Sequence, residues 1–505
     1  MNKPFKIAII GAGAAGLFTA AAIKRNLPNI EVEVVFDPKL KHIGVGESLG
    51  FFARKFFKDI LKIEEKDWLE QSQSTYKLGI KFVGWDGTDK PRVWGYGGTQ
   101  MLGIQNQKQG YTLDDIWLEF YKKGLRKLED FDYDFPEARF CANNRPLDKI
   151  LYTYQINAEY IKDVVHDLVG KPCGVKERPV PIKEVFVTPD GNNIDYLLLE
   201  DGSEVRADMF IDSTGFGRLL VKKLPFEFES FGEYYNDTAI VGPYWYKHES
   251  ERNRVFTDHY AMNHGWRFSV PLTERTGEGY ICNSHVVNDV DKIVAEWEQA
   301  TGKKDIIGRK ITWEPGHLKQ TMIGNCVVIG LGYGMIDPFD ANVFSTSLKS
   351  IAWLVDYLGK DVDKKLDWSA DFNNKMARLV TDVRLRIDVG LQLASKNDTE
   401  YWQHKKEAAK KFNTLERIVE SINTQERKFH AEDMYAGQHS YLEFLMYYGF
   451  DISKLNIQES SATAYTKAKV LEMFKEFNKI HRSMDLTNCH RLIPRRSSMD
   501  RTILS

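Results

Sequence analysis

Seven residues near the N-terminus have the types and spacing to hold a dinucleotide: Gly11-Ala14-type small residues in the run Gly11-Ala-Gly13-Ala14-Ala15-Gly16, and Asp37, 21 positions past Gly16. Gly11 permits a tight turn, Gly13 lets the backbone approach a pyrophosphate, and Gly16 lets a helix pack closely on a strand. The helix that follows offers its N-terminus to the anion, and Asp37 can accept the ribose hydroxyls. The pattern does not separate FAD from NAD. A second chemistry lies in Tyr76 to Phe82, which is apolar apart from Lys77 and Lys81. A desolvated lysine loses its proton more readily and can act as a neutral amine. Spacing alone favours two solvated strand lysines instead. His42, His317 and His490 have no metal-ligand spacing, and the five cysteines include no C-x-x-C pair, so no metal site is expected.

These residues need a scaffold. Lys6 to Ile10, Leu17 to Lys24 and Ile30 to Phe36 read as strand, helix and strand. Residues 50–80 have helix-like periodicity, 80–115 reads as strands and loops, and Thr153 to Leu168 reads as an amphipathic helix. Glu184 to Val187 and Tyr196 to Leu199 flank a turn at Asp190 to Asn193, a hairpin pattern. Met209 to Ile211 and Cys326 to Leu331 read as buried strands returning to the first sheet. Between 240 and 320, aromatic and polar residues alternate, which predicts an antiparallel sheet with an aromatic face. From Ser345 the pattern is helical, and paired lysines such as Lys405-Lys406 read as a solvated helix face.

The expected fold class is therefore α/β: a doubly wound, Rossmann-type module with an inserted antiparallel sheet and a mostly helical C-terminal region. Its domains divide as 1–345, with nucleotide-binding elements near 5–50, 205–220 and 325–345 and inserted segments at about 75–200 and 235–320; then 346–494, helical and substrate-binding; then a frayed tail, 495–505. The 505 residues exceed the roughly 250–300 that one core serves. A net charge of −2 gives no reason to expect nucleic acid. No apolar run approaches the roughly 20 residues of a membrane span, so no membrane partner is expected, and the unpaired cysteines suit a cytoplasmic setting.

With these segments in order, the chain resembles the flavin-dependent halogenases of the tryptophan halogenase group. The resemblance runs from residue 5 to about 402. Beyond the Gly-rich turn it rests on Gly44-Val45-Gly46-Glu47-Ser48, Thr75-Tyr-Lys77-Leu-Gly-Ile-Lys-Phe82, Asp212-Ser-Thr-Gly-Phe216, and Gly265-Trp266-Arg-Phe268-Ser-Val270-Pro271. Gly330-Leu331, Asp337-Pro-Phe-Asp340 and Asp398-Thr-Glu-Tyr-Trp402 complete it. The resemblance implies that FAD, as FADH2, reacts with O2 and a halide to give hypohalous acid, which a lysine, here Lys77, directs onto an aromatic substrate of the indole or phenol class. It implies cofactor contacts at Gly11, Gly13, Ala14, Ala15, Gly16, Asp37, Val45, Gly46, Glu47, Leu331 and Phe344. Trp266, Phe268 and Pro271 would shield the substrate from the flavin, although read alone they describe an aromatic core strand.

Two departures stand out. The family's catalytic glutamate corresponds to Asp340, one methylene shorter and able to do the same proton chemistry; the alternative reading, a carboxylate that caps the following helix, is the weaker one. The family's halide-holding Ser-Thr-Gly is replaced by Ala341-Asn342-Val343. A halide needs backbone N–H donors more than particular side chains, so Asn342 and Val343 remain the expected halide site, with preference shifted from chloride toward bromide or iodide. The chain has no recognisable NAD(P)H site, so a separate flavin reductase is the expected partner, and a homo-oligomer is compatible. The alternatives are a flavin monooxygenase that hydroxylates its aromatic substrate, or an inactive flavin-binding homologue.

Overall fold

The computed structural model describes residues 4–40, 44–50, 52–89, 91–95, 113–130, 152–248, 251–252, 254–303, 308–339, 342–361, 364–424, 441–442, 445, 450–456 and 459–482. The tail 495–505 and the segment 96–112 lie outside them.

Short apolar runs (KIAII, EVEVV, MFID and CVV) build a six-stranded sheet. Its order is Met322–Ile323, Cys326–Val328, Met209–Asp212, Lys6–Ile10, Glu31–Val35 and Lys176–Arg178. All pairings are parallel except the Met322–Ile323 hairpin. Parallel strands covered on both faces carry continuous hydrophobic runs, and these are buried. The strands come from far apart in the chain, so their C-terminal ends bring Gly11, Asp37, Ser213 and Gly330 to one edge. Ligands of open α/β sheets bind at such edges.

The second sheet has seven strands in the order Arg309–Thr312, Thr238–Trp245, Arg275–Cys282, Trp266–Pro271, Phe256–Ala261, Gly79–Val83 and Arg92–Gly95. It is antiparallel, as expected, except where Phe256–Ala261 runs parallel to Gly79–Val83. The expected single aromatic face divides in two. Trp266 and Phe268 share one face with His259 and Phe82, whereas Tyr260 and Tyr280 project with Arg267 from the other. Strand side chains alternate, and Arg267 between the two aromatics marks the switch.

Other boundaries moved as well. The helix read over Thr153 to Leu168 begins as a strand, Thr153–Asn157, and only Ala158–Val165 is α-helical, continued by a π turn. The strand wins because it inserts between Gly46–Ser48 and Thr75–Lys77 in a three-stranded sheet. Asn157 then caps the helix by accepting from the Glu159 N–H at 3.3 Å. The strand read over Cys326 to Leu331 stops at Val328, and Gly330–Gly332 forms a 3-10 turn. The C-terminal helices Asn342–Lys360, Ser369–Gln392, Glu400–Lys411, Thr414–Asn423 and Ala464–Arg482 agree with the helical pattern. Among the described residues no helix is long and apolar enough to cross a membrane.

Candidate active site

The Gly-rich turn meets the demands of a dinucleotide. Gly11 has φ +108°, and a Cβ on Gly16 would stand 2.0 Å from the Gly11 carbonyl oxygen and 2.6 Å from Ser213 Oγ, so only glycine lets the helix sit this close to the strand. That helix, Ala14–Asn26, starts at Gly13 with no side-chain cap and no acid in its first turn. Its leading N–H groups thus remain available to an anion. Ser213 ties the neighbouring strand end to this turn by donating to the Ile10 carbonyl at 2.7 Å. Asp37 stands half-buried two residues past Glu31–Val35, the position a ribose-binding carboxylate needs. The residues present fit a pyrophosphate-linked dinucleotide.

Of the other expected cofactor residues, Leu331 and Phe344 lie beside this turn and its helix, and Val45 to Glu47 belong to a separate small sheet. Leu331 lies in the 3-10 turn held by Arg218, whose Nε donates to the Gly332 carbonyl at 2.8 Å. Phe344 packs edge-on against Phe18 of the Gly-rich helix, ring centroids 5.9 Å apart. Val45, Gly46 and Glu47 lead into the three-stranded sheet, where Glu47 pairs with Ile156. Burial pushes the Glu47 carboxyl up to about 7.

Lys77 ends the next strand of the same sheet and is 1% exposed, which overturns the solvated reading for this residue. Lys81 keeps it in part: it is half-buried and pairs with Asp258 at 3.0 Å on the opposite side of the second sheet. Hydrogen bonds fasten the Lys77 strand to the other motifs. Thr75 Oγ1 donates to the Pro271 carbonyl at 2.7 Å, and Gln155 Nε2 donates to the Tyr76 carbonyl at 3.3 Å. Thr257 Oγ1 reaches Ser48 Oγ at 3.1 Å and Gln155 Oε1 at 3.4 Å. Gly50 N–H donates to Ser345 Oγ at 3.3 Å. Register places Lys77, Gln155 and Ser48 on one face of the small sheet and Glu47 on the other.

Phe339 closes the site from the third motif. Its ring centroid lies 5.5 Å from Trp85, 5.5 Å from His259, 5.8 Å from Trp266 and 6.0 Å from Phe82. Trp266 is fully buried within this box, Pro271 is buried, and Phe268 is half-buried. Their strand, Trp266–Pro271, is separated from Gly79–Val83, which continues from Lys77, by the His259 strand Phe256–Ala261. Asp340, one residue past Phe339, lies outside the described residues, as does Ala341.

Asn342 and Val343 are not loop residues: they open the helix Asn342–Lys360. The Asn342 side chain is committed to the backbone, donating to the Asp337 carbonyl at 2.6 Å and the Phe339 carbonyl at 2.8 Å. Any anion here would be held by the helix N-terminus rather than by that side chain.

Sequence reasoning missed the support beneath this turn. Asp337 accepts the Phe339 N–H at 2.8 Å and the Asn236 amide at 2.6 Å, and Asn236 in turn accepts the Tyr401 hydroxyl at 3.1 Å. Lys405, read as solvated, is buried and donates to the Tyr234 carbonyl at 2.7 Å. Burial pushes Lys405 down to about 8 and Asp337 up to about 7, each opposed by the other's charge. The helix Glu400–Lys411 packs its Lys405 side inward, which a lysine pair flanked by glutamate disguises. His259 was also missed. A single histidine among strand aromatics carries no distinguishing spacing.

Residues 6–457 match the profile of the tryptophan halogenases. The chain is 26% identical to the tryptophan 7-halogenase RebH of Lentzea aerocolonigenes over 80% of this chain and 79% of that protein. It is 25% identical to the tryptophan 6-halogenase SttH of Streptomyces toxytricini over 83% of this chain and 84% of that one. The crystal structure of SttH superposes with a TM-score of 0.81 at 24% identity, covering 97% of this chain and 98% of that one. Xcc4156, a flavin-dependent halogenase from Xanthomonas campestris, does so with a TM-score of 0.79 at 20% identity over 97% and 98%. Motif order, site geometry and the match over most of its length agree, and the chain belongs to the tryptophan halogenase family of enzymes.

Proposed function

We propose that this enzyme uses reduced FAD, O2 and a halide to form hypohalous acid and transfers the halogen to an electron-rich aromatic, with tryptophan and other indoles ahead of phenols. The observation that carries the reading is the burial of Lys77 on a strand bonded to the Trp266–Pro271 strand and adjoining the Phe339 box. When bound, reduced FAD supplies the two electrons with which O2 oxidises a halide to hypohalous acid.

The chain's own residues do the rest. Gly11 to Gly16 and the helix N-terminus hold the pyrophosphate, and Asp37 the ribose. The Lys77 amine hydrogen-bonds the oxygen of the hypohalous acid, which makes the halogen more electrophilic. The ring carbon then takes the halogen, the halogen–oxygen bond breaks, and the ring proton leaves with hydroxide as water; Asp340 is the residue proposed to carry that proton. Backbone N–H groups at Asn342 and Val343 hold the halide. Trp266, Phe268 and Pro271 keep the aromatic substrate from the flavin. A separate flavin reductase supplies FADH2, in a cytoplasmic setting.

The test supplies reduced FAD, O2 and competing halides to a panel of indoles, phenols and pyrroles, with products read by mass spectrometry. Halogenated product with bromide or iodide at least equal to chloride is expected. Hydroxylated product without halogen would replace the reading with a monooxygenase, and no halide-dependent product would leave a flavin-binding protein.

A further inference from the structure

Two buried polar atoms in the aromatic box have no hydrogen-bond partner among the described residues: His259 Nδ1 and Trp266 Nε1. Their residues are 3% and 0% exposed, and their rings lie 4.9 Å apart. Orphaned buried polar groups are rare because leaving one unmade costs about 1–3 kcal/mol. Two side by side, one an indole donor and the other on an imidazole, need an occupant that both accepts and donates and is small enough for a box walled by Phe82 and Phe339.

The imidazole is in the right state to accept. Burial first, then the positive charges of Lys77 on its strand and Arg386 on the helix Ser369–Gln392, hold His259 well below the usual histidine range, so it is neutral. A neutral ring keeps one unprotonated nitrogen. The box also adjoins the lysine. Thr257, on the His259 strand and the same face, reaches Gln155, which in turn binds the carbonyl preceding Lys77. One strand repeat of two residues, roughly 7 Å, separates Thr257 from His259.

We propose that His259 and Trp266 form a seat for hypohalous acid next to Lys77, with the indole N–H donating to the oxidant's oxygen and the imidazole accepting its O–H. This rests on the reading of Lys77 as the residue that receives the oxidant. Binding here is noncovalent. It fixes the oxygen end, leaves the halogen free to face the lysine, and delays escape of a reagent that would otherwise diffuse out. His259 is thus a positioning residue for delivery, with a role separate from that of the Lys77 amine.

The experiment needs no organic substrate. The flavin-loaded enzyme is reduced and mixed with O2 and bromide in the presence of free methionine, whose thioether traps escaping oxidant as sulfoxide. Flavin reoxidation is followed by absorbance and sulfoxide by quenched-flow mass spectrometry. His259→Phe keeps the ring packing and removes both nitrogens; His259→Asn restores an amide near the Nδ1 position. We expect His259→Phe to reoxidise flavin at the wild-type rate yet release oxidant at least tenfold faster, and His259→Asn to recover much of the delay. Release by His259→Phe within twofold of wild type would overturn the seat, as would a loss that His259→Asn does not rescue. If wild type makes no bromide-dependent oxidant, or Lys77→Ala halogenates added indole as well as wild type, the parent reading fails instead. Independently of turnover, nitrogen-15 NMR of the flavin-free protein should show His259 neutral from pH 5 to 8; a ring that protonates near pH 6.5 would contradict its role as acceptor.

Discussion

Replacing Asp337 by Asn tests the support beneath the turn that leads into the helix Asn342–Lys360. The wild-type carboxylate accepts from Phe339 N–H and from the Asn236 amide and faces the buried ammonium of Lys405. In Asp337→Asn one oxygen becomes an N–H2 opposed to the Asn236 amide. Asn236 can turn only if the Tyr401 hydroxyl, which now donates to it at 3.1 Å, accepts instead and leaves its own proton without that partner. That mismatch costs about 1–3 kcal/mol. The missing charge acts in the opposite direction. Burial holds the folded Asp337 carboxyl up at about 7 against an ordinary 3.8, so wild type carries an ionisation penalty at neutral pH that the variant lacks, about 4 kcal/mol at its full extent.

The two parts separate by pH. Well below the ordinary 3.8 the folded and unfolded wild-type chains both hold the Asp337 proton and the charge part is absent; it grows between about 4 and about 7 and offsets the hydrogen-bond deficit above that window. The hydrogen-bond part does not change. Denaturant unfolding of flavin-free protein at pH 4.5 and pH 8, with Lys405→Met and the double variant completing a cycle, measures both. A deficit below about 0.5 kcal/mol at pH 4.5, or one no smaller at pH 8, would refute the reasoning, as would strictly additive single variants.

Two further outcomes follow from the cofactor side. Gly16→Ala should weaken FAD binding at least tenfold, about 1.4 kcal/mol, because its methyl cannot stand 2.0 Å from the Gly11 carbonyl without separating helix from strand; an unchanged Kd by flavin fluorescence would count against the packing argument. Glu47→Gln should stabilise the flavin-free protein at pH 8 but not near pH 4.5. The folded carboxyl holds its proton up to about 7 against an ordinary 4.5, so its ionisation penalty grows across that window to about 3 kcal/mol; equal melting temperatures at pH 8 would contradict it.

The parts legible in the sequence were those encoded by short-range pattern. Gly11 to Gly16 with Asp37, the hairpin around Asp190 to Asn193, and the apolar runs of the parallel sheet all carry local signals, and each appears where expected. Thr153 to Asn157 was misread because its strand state depends on two partners more than 70 residues away, Gly46–Ser48 and Thr75–Lys77. Lys405 was misread for a related reason. Its neighbours along the helix are charged, and the groups that make its burial tolerable, Asp337, Asp237, Asp388 and the Tyr234 carbonyl, are distant in sequence. His259 has no local signature at all. Its setting comes from Phe82, Trp266 and Phe339, which three separate segments supply.

The central claim is that Lys77 acts on the oxidant after the flavin has finished reacting. Its most direct test is a single turnover of Lys77→Ala, loaded with reduced FAD and given O2, bromide and tryptophan, in which flavin reoxidation and halogenated product are measured in the same sample. The account predicts reoxidation at the wild-type rate with bromotryptophan reduced at least a hundredfold, on the order of 3 kcal/mol in transition-state terms. Product within twofold of wild type would contradict it.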